Sequence, residues 1–231
     1  MTLAFAGTVD WAGAAATLVE QGRVQVRNVL ESAAAESLAT ALAAIPHWDF
    51  ALTDARQGPF KLPHDELARM PPQARARMAE DLRRQSRAGF AFAYYRRDVV
   101  PGDQPVLPEV ASWIASPGFL EPMRRLTGNG QLTYSDAHAT RYEVGSFLKR
   151  HDDTYAGRQR RYAWVLNLTR RWDPDWGGLL HFEADGEVTA CFMPRFNSLS
   201  VFAVPQAHHV SQVASYALHP RDAVTGWLFE E

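Results

Sequence analysis

The sequence predicts an α+β fold in which a mainly helical first half supports a β-rich second half. Helical periodicity dominates residues 1–130, with one or two strands among the helices. From Gln131 onward, eight short β-prone runs follow one another with turn residues between them. Eight strands without an intervening helix indicate a sandwich, jelly roll or barrel. We expect one domain over residues 1–231, with the N-terminal helices packed against the major sheet of a double-stranded β-helix (a jelly-roll or cupin-like core at 131–231).

The first half begins with a short amphipathic helix near the N-terminus and a strand at residues 24–29. A helix is predicted at 32–45, because Ala35, Leu38, Leu42 and Ile45 fall on one helical face. Further helical stretches lie at 64–70 and 72–84, an aromatic strand at 89–95, and two helical pieces within 106–128. The second of these pieces has its start signal at Ser116-Pro117 and its stop at Gly128.

The second half is punctuated by glycine, proline and aspartate turns, which separate runs of about the length of single strands. The eight predicted strands are 131–142, 146–151, 161–168, 178–184, 187–193, 198–204, 208–214 and 223–229.

Composition and charge exclude some classes of function. The formal net charge of −2 gives no electrostatic argument for nucleic acid or for an anionic membrane. No run of eighteen apolar residues occurs, and the N-terminus lacks the basic start of a signal peptide. The single cysteine, Cys191, rules out an intramolecular disulfide and suits a reducing compartment. We expect a cytoplasmic protein without a membrane or nucleic-acid partner, and the sequence indicates no oligomeric state.

A cluster of metal-ligand residue types stands in the β-rich half. In an extended strand, residues i and i+2 point to the same side, so His151 and Asp153 can converge on one ion while Asp152 points away. A third ligand is available from His208 or His209, of which strand alternation allows only one to face inward. Two histidines and one carboxylate form the ligand set of non-haem Fe(II) oxygenases. His181 is a spare candidate, for which a partly buried position or a role supporting the ligands is the preferred interpretation, and His47, His64, His138 and His219 have no partner at ligand spacing.

An arginine follows these residues at the start of the last predicted strand. Arg221, Thr225 and Trp227 share one face of that strand, which places a guanidinium and a hydroxyl on the same side. A guanidinium fork matches a carboxylate, and a buried arginine requires such a partner. Arg221 is therefore a candidate for binding an acidic ligand.

Taken together, these residues resemble the prolyl-hydroxylase-like branch of the 2-oxoglutarate/Fe(II)-dependent dioxygenases. The resemblance spans about the last two-fifths of the chain, and several matches occur in the family's order. They are Tyr142, Gly145, His151-x-Asp153, Leu166-Asn167-Leu168, Trp172, Gly177-Gly178-Leu179, Pro194 to Asn197, His208-x-Val210, and Arg221 with Gly226-Trp227.

The resemblance implies Fe(II), 2-oxoglutarate as cosubstrate and dioxygen, and it allows ascorbate as a reductant. It implies His151, Asp153 and His208 as the catalytic metal ligands. His208 is favoured because the family's third ligand precedes a valine by two positions, although a short loop shift would substitute His209. The implied reaction is hydroxylation of a C–H bond with release of succinate and carbon dioxide.

The resemblance also implies contacts to the cosubstrate. Arg221, with Thr225 beside it, would bind the distal carboxylate, and Tyr142 would hydrogen-bond near the metal-chelating end. Related prolyl hydroxylases place a second tyrosine on the strand after the His-x-Asp pair. In this sequence Asn167 stands at about that point, and an amide can still donate to a carboxylate.

The substrate is expected to be a prolyl or other residue of a protein or peptide, or a free amino acid. The loop 154–161 carries Arg158, Arg160 and Arg161, which would suit an acidic substrate, but a solvated lid is an equal interpretation. Two alternatives remain: a cupin-like metal dioxygenase or isomerase that does not use 2-oxoglutarate, and a β-roll that binds a ligand or partner without catalysis.

Overall fold

The computed structural model describes residues 2–54, 58–99, 106–157 and 159–230. Its helices are α1 (Trp11–Gln21), α2 (Ser32–Ala43), α3 (His64–Arg69), α4 (Pro72–Ala88), α5 (Leu107–Ile114) and α6 (Pro117–Thr127). Its strands are β1 (Arg23–Arg27), β2 (Asp49–Asp54), β3 (Gly58–Leu62), β4 (Phe92–Asp98), β5 (Leu132–Tyr142), β6 (Phe147–His151), β7 (Arg160–Asn167), β8 (Leu180–Ala184), β9 (Glu187–Phe192), β10 (Ser198–Ala203), β11 (His208–Val210) and β12 (Arg221–Glu230).

All eight strands predicted after Gln131 are present, as β5 to β12, and the predicted helices are present as α1 to α6. The number of strands in the first half was underestimated, because four strands occur there rather than one or two. The hairpin of β2 and β3 was missed. Only Ala51 and Leu52 of β2 and Leu62 of β3 are buried, so the pattern of buried residues is too short to stand out in a polar stretch.

The strands form one antiparallel sheet that curls into a β-roll. Its order is β1-β10-β7-β12-β5-β4-β6-β11-β8-β9, with β2 added beside β4 and β3 beside β2. In this order, the first six strands (β1, β10, β7, β12, β5 and β4) form the major sheet. The last four (β6, β11, β8 and β9) form the minor sheet, which faces the major sheet. This is the predicted double-stranded β-helix, or jelly roll.

Two apolar cores lie on the two sides of the major sheet. The outer core packs the helices against the sheet and includes Leu38, Phe119 and Trp164, all fully buried. The inner core lies between the sheets and includes Phe182 and Phe202. Helices therefore pack against the major sheet, as predicted, and the interior of the roll is a separate layer. Among the described residues, no helix is both long and apolar enough to cross a membrane.

An ion pair on the helix-facing side ties α2 to the sheet. Arg141 on β5 donates to both carboxylate oxygens of Asp222 on β12, at 2.8 and 2.9 Å, and to the carbonyl of Leu42, at 3.3 Å. Its guanidinium also lies 4.6 Å from the ring centre of Trp48. The fold therefore supplies this arginine with a carboxylate, a carbonyl oxygen and an aromatic ring.

Candidate metal and cosubstrate site

Three ligand-type side chains meet at the inner face of the minor sheet. The Nε2 atoms of His151 and His208 each lie 3.5 Å from one carboxylate oxygen of Asp153, and the imidazole centres are 4.1 Å apart. One donor atom from each residue falls within 4.8 Å of the other two, which is the spacing of atoms that share an ion. This is the only such group among the described residues.

Two neighbouring strands position the histidines. β6 and β11 pair antiparallel, with His208 directly opposite His151. Side chains directly opposite each other share a face of the sheet, so both imidazoles point into the roll.

Strand alternation does not position Asp153, which corrects the sequence interpretation of a straight clip. β6 ends at His151, and Asp153 lies in the following loop with φ +62°. That left-handed conformation turns the carboxylate back toward the histidines. Asp152 does point away, and its carboxylate accepts a hydrogen bond from the amide of Thr154 at 3.0 Å.

Backbone carbonyls fix the tautomers of both histidines. Nδ1 of His151 lies 2.9 Å from the carbonyl of Lys149, and Nδ1 of His208 lies 2.7 Å from the carbonyl of Gln206. A carbonyl oxygen can only accept, so Nδ1 carries the proton and the lone pair of Nε2 faces Asp153. This arrangement is typical of metal-binding histidines.

The protonation states of the cluster suit a metal ion. Burial alone would raise the pKa of Asp153, but the adjacent imidazoles of His151 and His208 outweigh it, so the pKa lies below its ordinary value. Burial, together with the charge of His151, lowers the pKa of His208 to about 4. At neutral pH Asp153 is therefore anionic and His208 neutral, which are the forms that ligate metals.

The choice between the two adjacent histidines is resolved by the faces of β11. His208 is buried inside the roll, whereas His209 lies on the outer face, where its Nδ1 meets the carboxylate of Glu183. The ring of His209 stacks on His181 at 4.7 Å. His181 is also outside the cluster, in agreement with its prediction as a partly buried histidine.

A cavity of about 80 Å³, partly open to solvent, adjoins the three ligand candidates. The major sheet forms its floor, through inward-facing residues of β4, β5, β7 and β12. The residues around it are Tyr94, His138, Thr140, Tyr142, Leu148, His151, Asp153, Ala163, Val165, Leu180, Phe202, His208, Val210, Arg221, Thr225 and Trp227.

Arg221 lies at the closed end of this cavity and has no carboxylate partner among the described residues. One terminal nitrogen donates to the carbonyl of Gly178 at 2.8 Å and the other to Oδ1 of Asn167 at 3.4 Å, while Nε is buried without a partner. The guanidinium also faces the ring of Tyr142 at 5.2 Å. Burial lowers the pKa of Arg221, which an anion beside it would oppose.

The backbone at Gly178 lies close to this arginine and accepts a hydrogen bond from it. Its φ is +62°, and a Cβ atom at this position would lie 3.1 Å from Trp172 and 3.7 Å from Cδ of Arg221. The glycine pair in the sequence thus allows the backbone to approach the arginine closely and to present a carbonyl to it.

Two further predicted cosubstrate residues line the cavity. Tyr142 is directly opposite Arg221 in the β5–β12 pairing and stacks in parallel on Tyr94, with ring centres 5.0 Å apart. Thr225 faces the cavity four residues after Arg221, and its hydroxyl donates to the carbonyl of Trp164 at 2.9 Å, which leaves the oxygen lone pairs free.

Asn167 does not line the cavity. Its amide group accepts from Arg221 and donates to the hydroxyl of Ser198 at 3.2 Å, so it lies behind the guanidinium. The residues of β7 that do face the cavity are Ala163 and Val165, which have no hydrogen-bonding side chain. The strand was identified correctly from the sequence, but which of its residues reaches the ligand depends on the curl of the sheet.

Sequence reasoning passed over His138, which lines the cavity. The missed signal is the period of two on β5. His138, Thr140 and Tyr142 must share a face, so assigning Tyr142 to the site also assigns His138. In the basic loop, Arg160 contacts the site, because its guanidinium lies 3.8 Å from the ring centre of Trp227. Arg158 lies outside the described residues.

The sequence of this segment is similar to a known family. A model of the 2OG-Fe(II) oxygenase superfamily matches residues 137–229. Prolyl 3-hydroxylase OGFOD1 of the mouse, Mus musculus, is 32% identical over 102 residues, which are 41% of this chain. The chain covers only 18% of the length of that relative.

Solved structures share the fold over nearly the whole chain. A prolyl-4-hydroxylase of Pseudomonas putida superposes with a TM-score of 0.61 at 22% identity, covering 96% of this chain and 99% of that one. A Trichoplax adhaerens prolyl hydroxylase in complex with a hypoxia inducible factor oxygen degradation domain peptide gives 0.65 at 17% identity, covering 95% and 89%. At these identities the likeness shows the fold alone.

The matched segment contains the three ligand candidates and Arg221. Residues 137–229 match the 2OG-Fe(II) oxygenase superfamily, in agreement with the resemblance stated from the sequence. The side chains fit the groups that this family implies. The Nε2 atoms of two histidines and one carboxylate match the facial set of a non-haem Fe(II) site, and the buried Arg221 has no anionic partner among the described residues.

Proposed function

We propose that this protein is an Fe(II)- and 2-oxoglutarate-dependent hydroxylase. One observation carries the proposal: the two-histidine, one-carboxylate group and a buried arginine without a carboxylate partner share one cavity. A metal-binding β-roll that used no dicarboxylate would have no need to bury a cation there. The match of residues 137–229 to the superfamily supports the same reaction class.

In the proposed reaction, His151, Asp153 and His208 would hold the iron beside the cavity. When bound, iron with 2-oxoglutarate and dioxygen supplies the oxidising chemistry that hydroxylates a C–H bond and releases succinate and carbon dioxide, with ascorbate as a suitable reductant. The chain contributes ligand geometry, orientation of the reactants and an apolar wall that excludes water. Phe202 and Leu180 belong to that wall.

Arg221 would bind the distal carboxylate of 2-oxoglutarate, with Thr225 facing the cosubstrate from the same strand and Tyr142 reaching it from the adjacent strand. Asn167 would act through Arg221 by holding its guanidinium in place. These roles fit the direction of the side chains, because all except Asn167 line the cavity.

The substrate would enter past Arg160 and Trp227. Nε of Arg160 and Nε1 of Trp227 are buried donors that have no acceptor among the described residues. Both groups can only donate, so the ligand that completes them must offer an oxygen acceptor such as a backbone carbonyl or a carboxylate. A peptide or an amino acid supplies such an oxygen next to the carbon to be hydroxylated.

A prolyl residue of a protein or peptide is the substrate that we propose first, with other residues and free amino acids as the next choices. The mouse relative is a prolyl 3-hydroxylase, and the two similar structures are of prolyl hydroxylases, one with a peptide bound. We propose a single domain over residues 1–231 and a cytoplasmic location, to which a lone cysteine is suited.

The two alternatives are less well supported. A cupin-like enzyme without 2-oxoglutarate would leave the charge of Arg221 uncompensated. A non-catalytic β-roll would not need to keep all three ligands and the arginine together, and here all four residues face one cavity.

Anaerobic titration of the protein with Fe(II) and then 2-oxoglutarate tests the proposal. We expect a visible metal-to-ligand charge-transfer band in the wild type and none in His151→Ala. A protein that binds Fe(II) but gives no band with 2-oxoglutarate would contradict the assignment. Prolyl peptides and free proline are then compared for Fe(II)-dependent succinate release.

A further inference from the structure

His138 is a buried histidine on the cavity floor that has no part in the metal cluster. It is 3% exposed, and it pairs with Thr225 of β12 on one side and with Asp98 of β4 on the other. Directly opposite residues of an antiparallel pair place their side chains next to each other. His138 therefore adjoins any ligand that reaches Thr225.

The two sides of Thr225 differ in chemistry. On β7 its opposite residue is Val165, and the next cavity-facing residue of that strand is Ala163. On β5 the corresponding residues are His138 and Thr140, which carry polar groups. A polar ligand between the metal ligands and Arg221 can thus be hydrogen-bonded from β5 but not from those residues of β7.

The hydrogen-bonding capacity of His138 is unused. No side-chain hydrogen bond of His138 is present among the described residues, and its ring lies 5.7 Å from the ring of Trp227. Burial, reinforced by the charge of Arg96, lowers its pKa to about 3, so the imidazole is neutral and offers one donor and one acceptor. Arg96 itself is paired with Asp98, at 2.8 Å.

The position of His138 along the sheet indicates which end of a ligand it meets. His138 lines the same cavity as the three metal-ligand candidates. Thr225, its cross-strand neighbour, lies four residues from Arg221, or about 13 Å along the strand. A dicarboxylate held at one end by Arg221 would thus present its other end to His138.

We propose that His138 is a positioning residue that donates a hydrogen bond to the metal-chelating keto-acid end of 2-oxoglutarate, an inference that rests on the proposed function. Tyr142 lies on the same strand of the floor, so His138 would add a second contact from β5 to the cosubstrate. The bond would fix which of the open metal positions the keto acid occupies and which is left for dioxygen.

Calorimetric titration of the Zn(II)-loaded protein tests this without turnover. Oxalate serves as the probe of the chelating end, succinate as the probe of the distal end, and 2-oxoglutarate as the whole ligand. We expect His138→Leu to weaken the binding of oxalate and of 2-oxoglutarate by about 10-fold or more, because a hydrogen bond to a charged acceptor is lost. The affinity for succinate should stay unchanged. His138→Gln should restore part of the affinity, since an amide can donate at a similar position.

His181→Leu is the matched control, because it removes a half-buried histidine from the outer face of the same roll and should bind all three probes like the wild type. Equal oxalate binding by wild type and His138→Leu would overturn the inference, and so would a loss confined to succinate. A wild type that binds neither oxalate nor 2-oxoglutarate would overturn the proposed function itself. If His138→Leu does not fold, the imidazole ¹⁵N resonances of His138 in the wild type decide, because oxalate must shift them and succinate must not.

Discussion

Two arginines on paired strands, Arg141 largely buried and Arg221 fully buried, show how differently the two faces of the major sheet are built. Arg141 on β5 faces the helices and is completed by the fold, through both oxygens of Asp222 and the carbonyl of Leu42. Arg221 on β12 faces the cavity and has a carbonyl, an amide oxygen and an aromatic ring, but no carboxylate among the described residues. A buried charge normally has an opposite charge. The fold provides it for Arg141, whereas Arg221 requires a ligand.

The same contrast runs along each strand of the floor. On β12 the helix-facing residues Val224 and Leu228 are fully buried in the outer core, while Trp227 beside them keeps an unpaired Nε1 toward the cavity. One face therefore contributes stability and the other binding capacity. Substitutions on the two faces should separate these properties.

The largest difference in metal binding and turnover is expected on β11, between substitutions of the adjacent His208 and His209. His208→Ala should abolish metal binding and turnover, because only two ligands remain and the open coordination geometry is lost. His209→Ala should keep both, since His209 lies on the outer face beside Glu183. Binding of Co(II), followed by its visible spectrum, and succinate release measure the two effects. Equal losses in both variants would contradict the assignment of His208.

A large loss of stability is expected from the helix-facing ion pair. Asp222→Leu leaves Arg141 buried without its carboxylate, which should lower the free energy of unfolding by about 3–5 kcal/mol. The double variant Arg141→Leu, Asp222→Leu should recover much of this loss, because no charge is then left unpaired. Denaturant unfolding of the metal-free protein measures both. A single variant within about 1 kcal/mol of the wild type would show that the pair contributes little.

The sequence was sufficient for the strands of the second half and for three ligands, because both follow from local patterns. Alternation defines a strand, and a His-x-Asp pair with a later histidine defines a metal group. It was insufficient where the answer depended on three-dimensional curvature. Asp153 reaches the metal group through a left-handed residue in a loop, and Asn167 is turned behind Arg221 instead of into the cavity.

The helical first half was less predictable for a related reason. The β2–β3 hairpin has few buried residues and is held by pairing to β4, which is distant in sequence. His138 was set aside because no ligand-type residue stands near it in the chain. Its partners across the sheet, Thr225 and Asp98, are 87 and 40 positions away. Cross-strand register, which the sequence does not display, brings them together.

On the cavity face, Arg221→Leu should mainly reduce ligand affinity, whereas Asp222→Leu on the helix-facing side should mainly reduce folding stability. We expect the affinity of the Zn(II)-loaded protein for 2-oxoglutarate to fall by about 10- to 100-fold, because a charge-assisted bond to the distal carboxylate is lost. The free energy of unfolding without ligand should fall far less than in Asp222→Leu, since no buried carboxylate is left unpaired. Calorimetry and denaturant unfolding test the two parts. Unchanged 2-oxoglutarate affinity would refute the role of Arg221.

The smallest effect is the loss of folding stability at acidic pH. It arises on the cavity face, where His138 is buried. His138 has a pKa of about 3 in the folded protein and about 6.5 when unfolded. Above pH 6.5 both states hold it neutral. Below that pH only the unfolded state takes up the proton, so stability is lost as the pH falls from 6.5 toward 3. At pH 5 this amounts to at most about 2 kcal/mol.

His138→Leu removes this contribution. Its free energy of unfolding, measured without metal, should therefore fall less between pH 7.5 and pH 5 than that of the wild type, by up to about 2 kcal/mol. His219→Leu, which replaces an exposed histidine, should follow the wild-type profile. Parallel profiles for the wild type and His138→Leu would mean that the imidazole is protonated readily in the folded state. The cavity face would then tolerate a second cation, and its need for an anion at Arg221 would be correspondingly weaker.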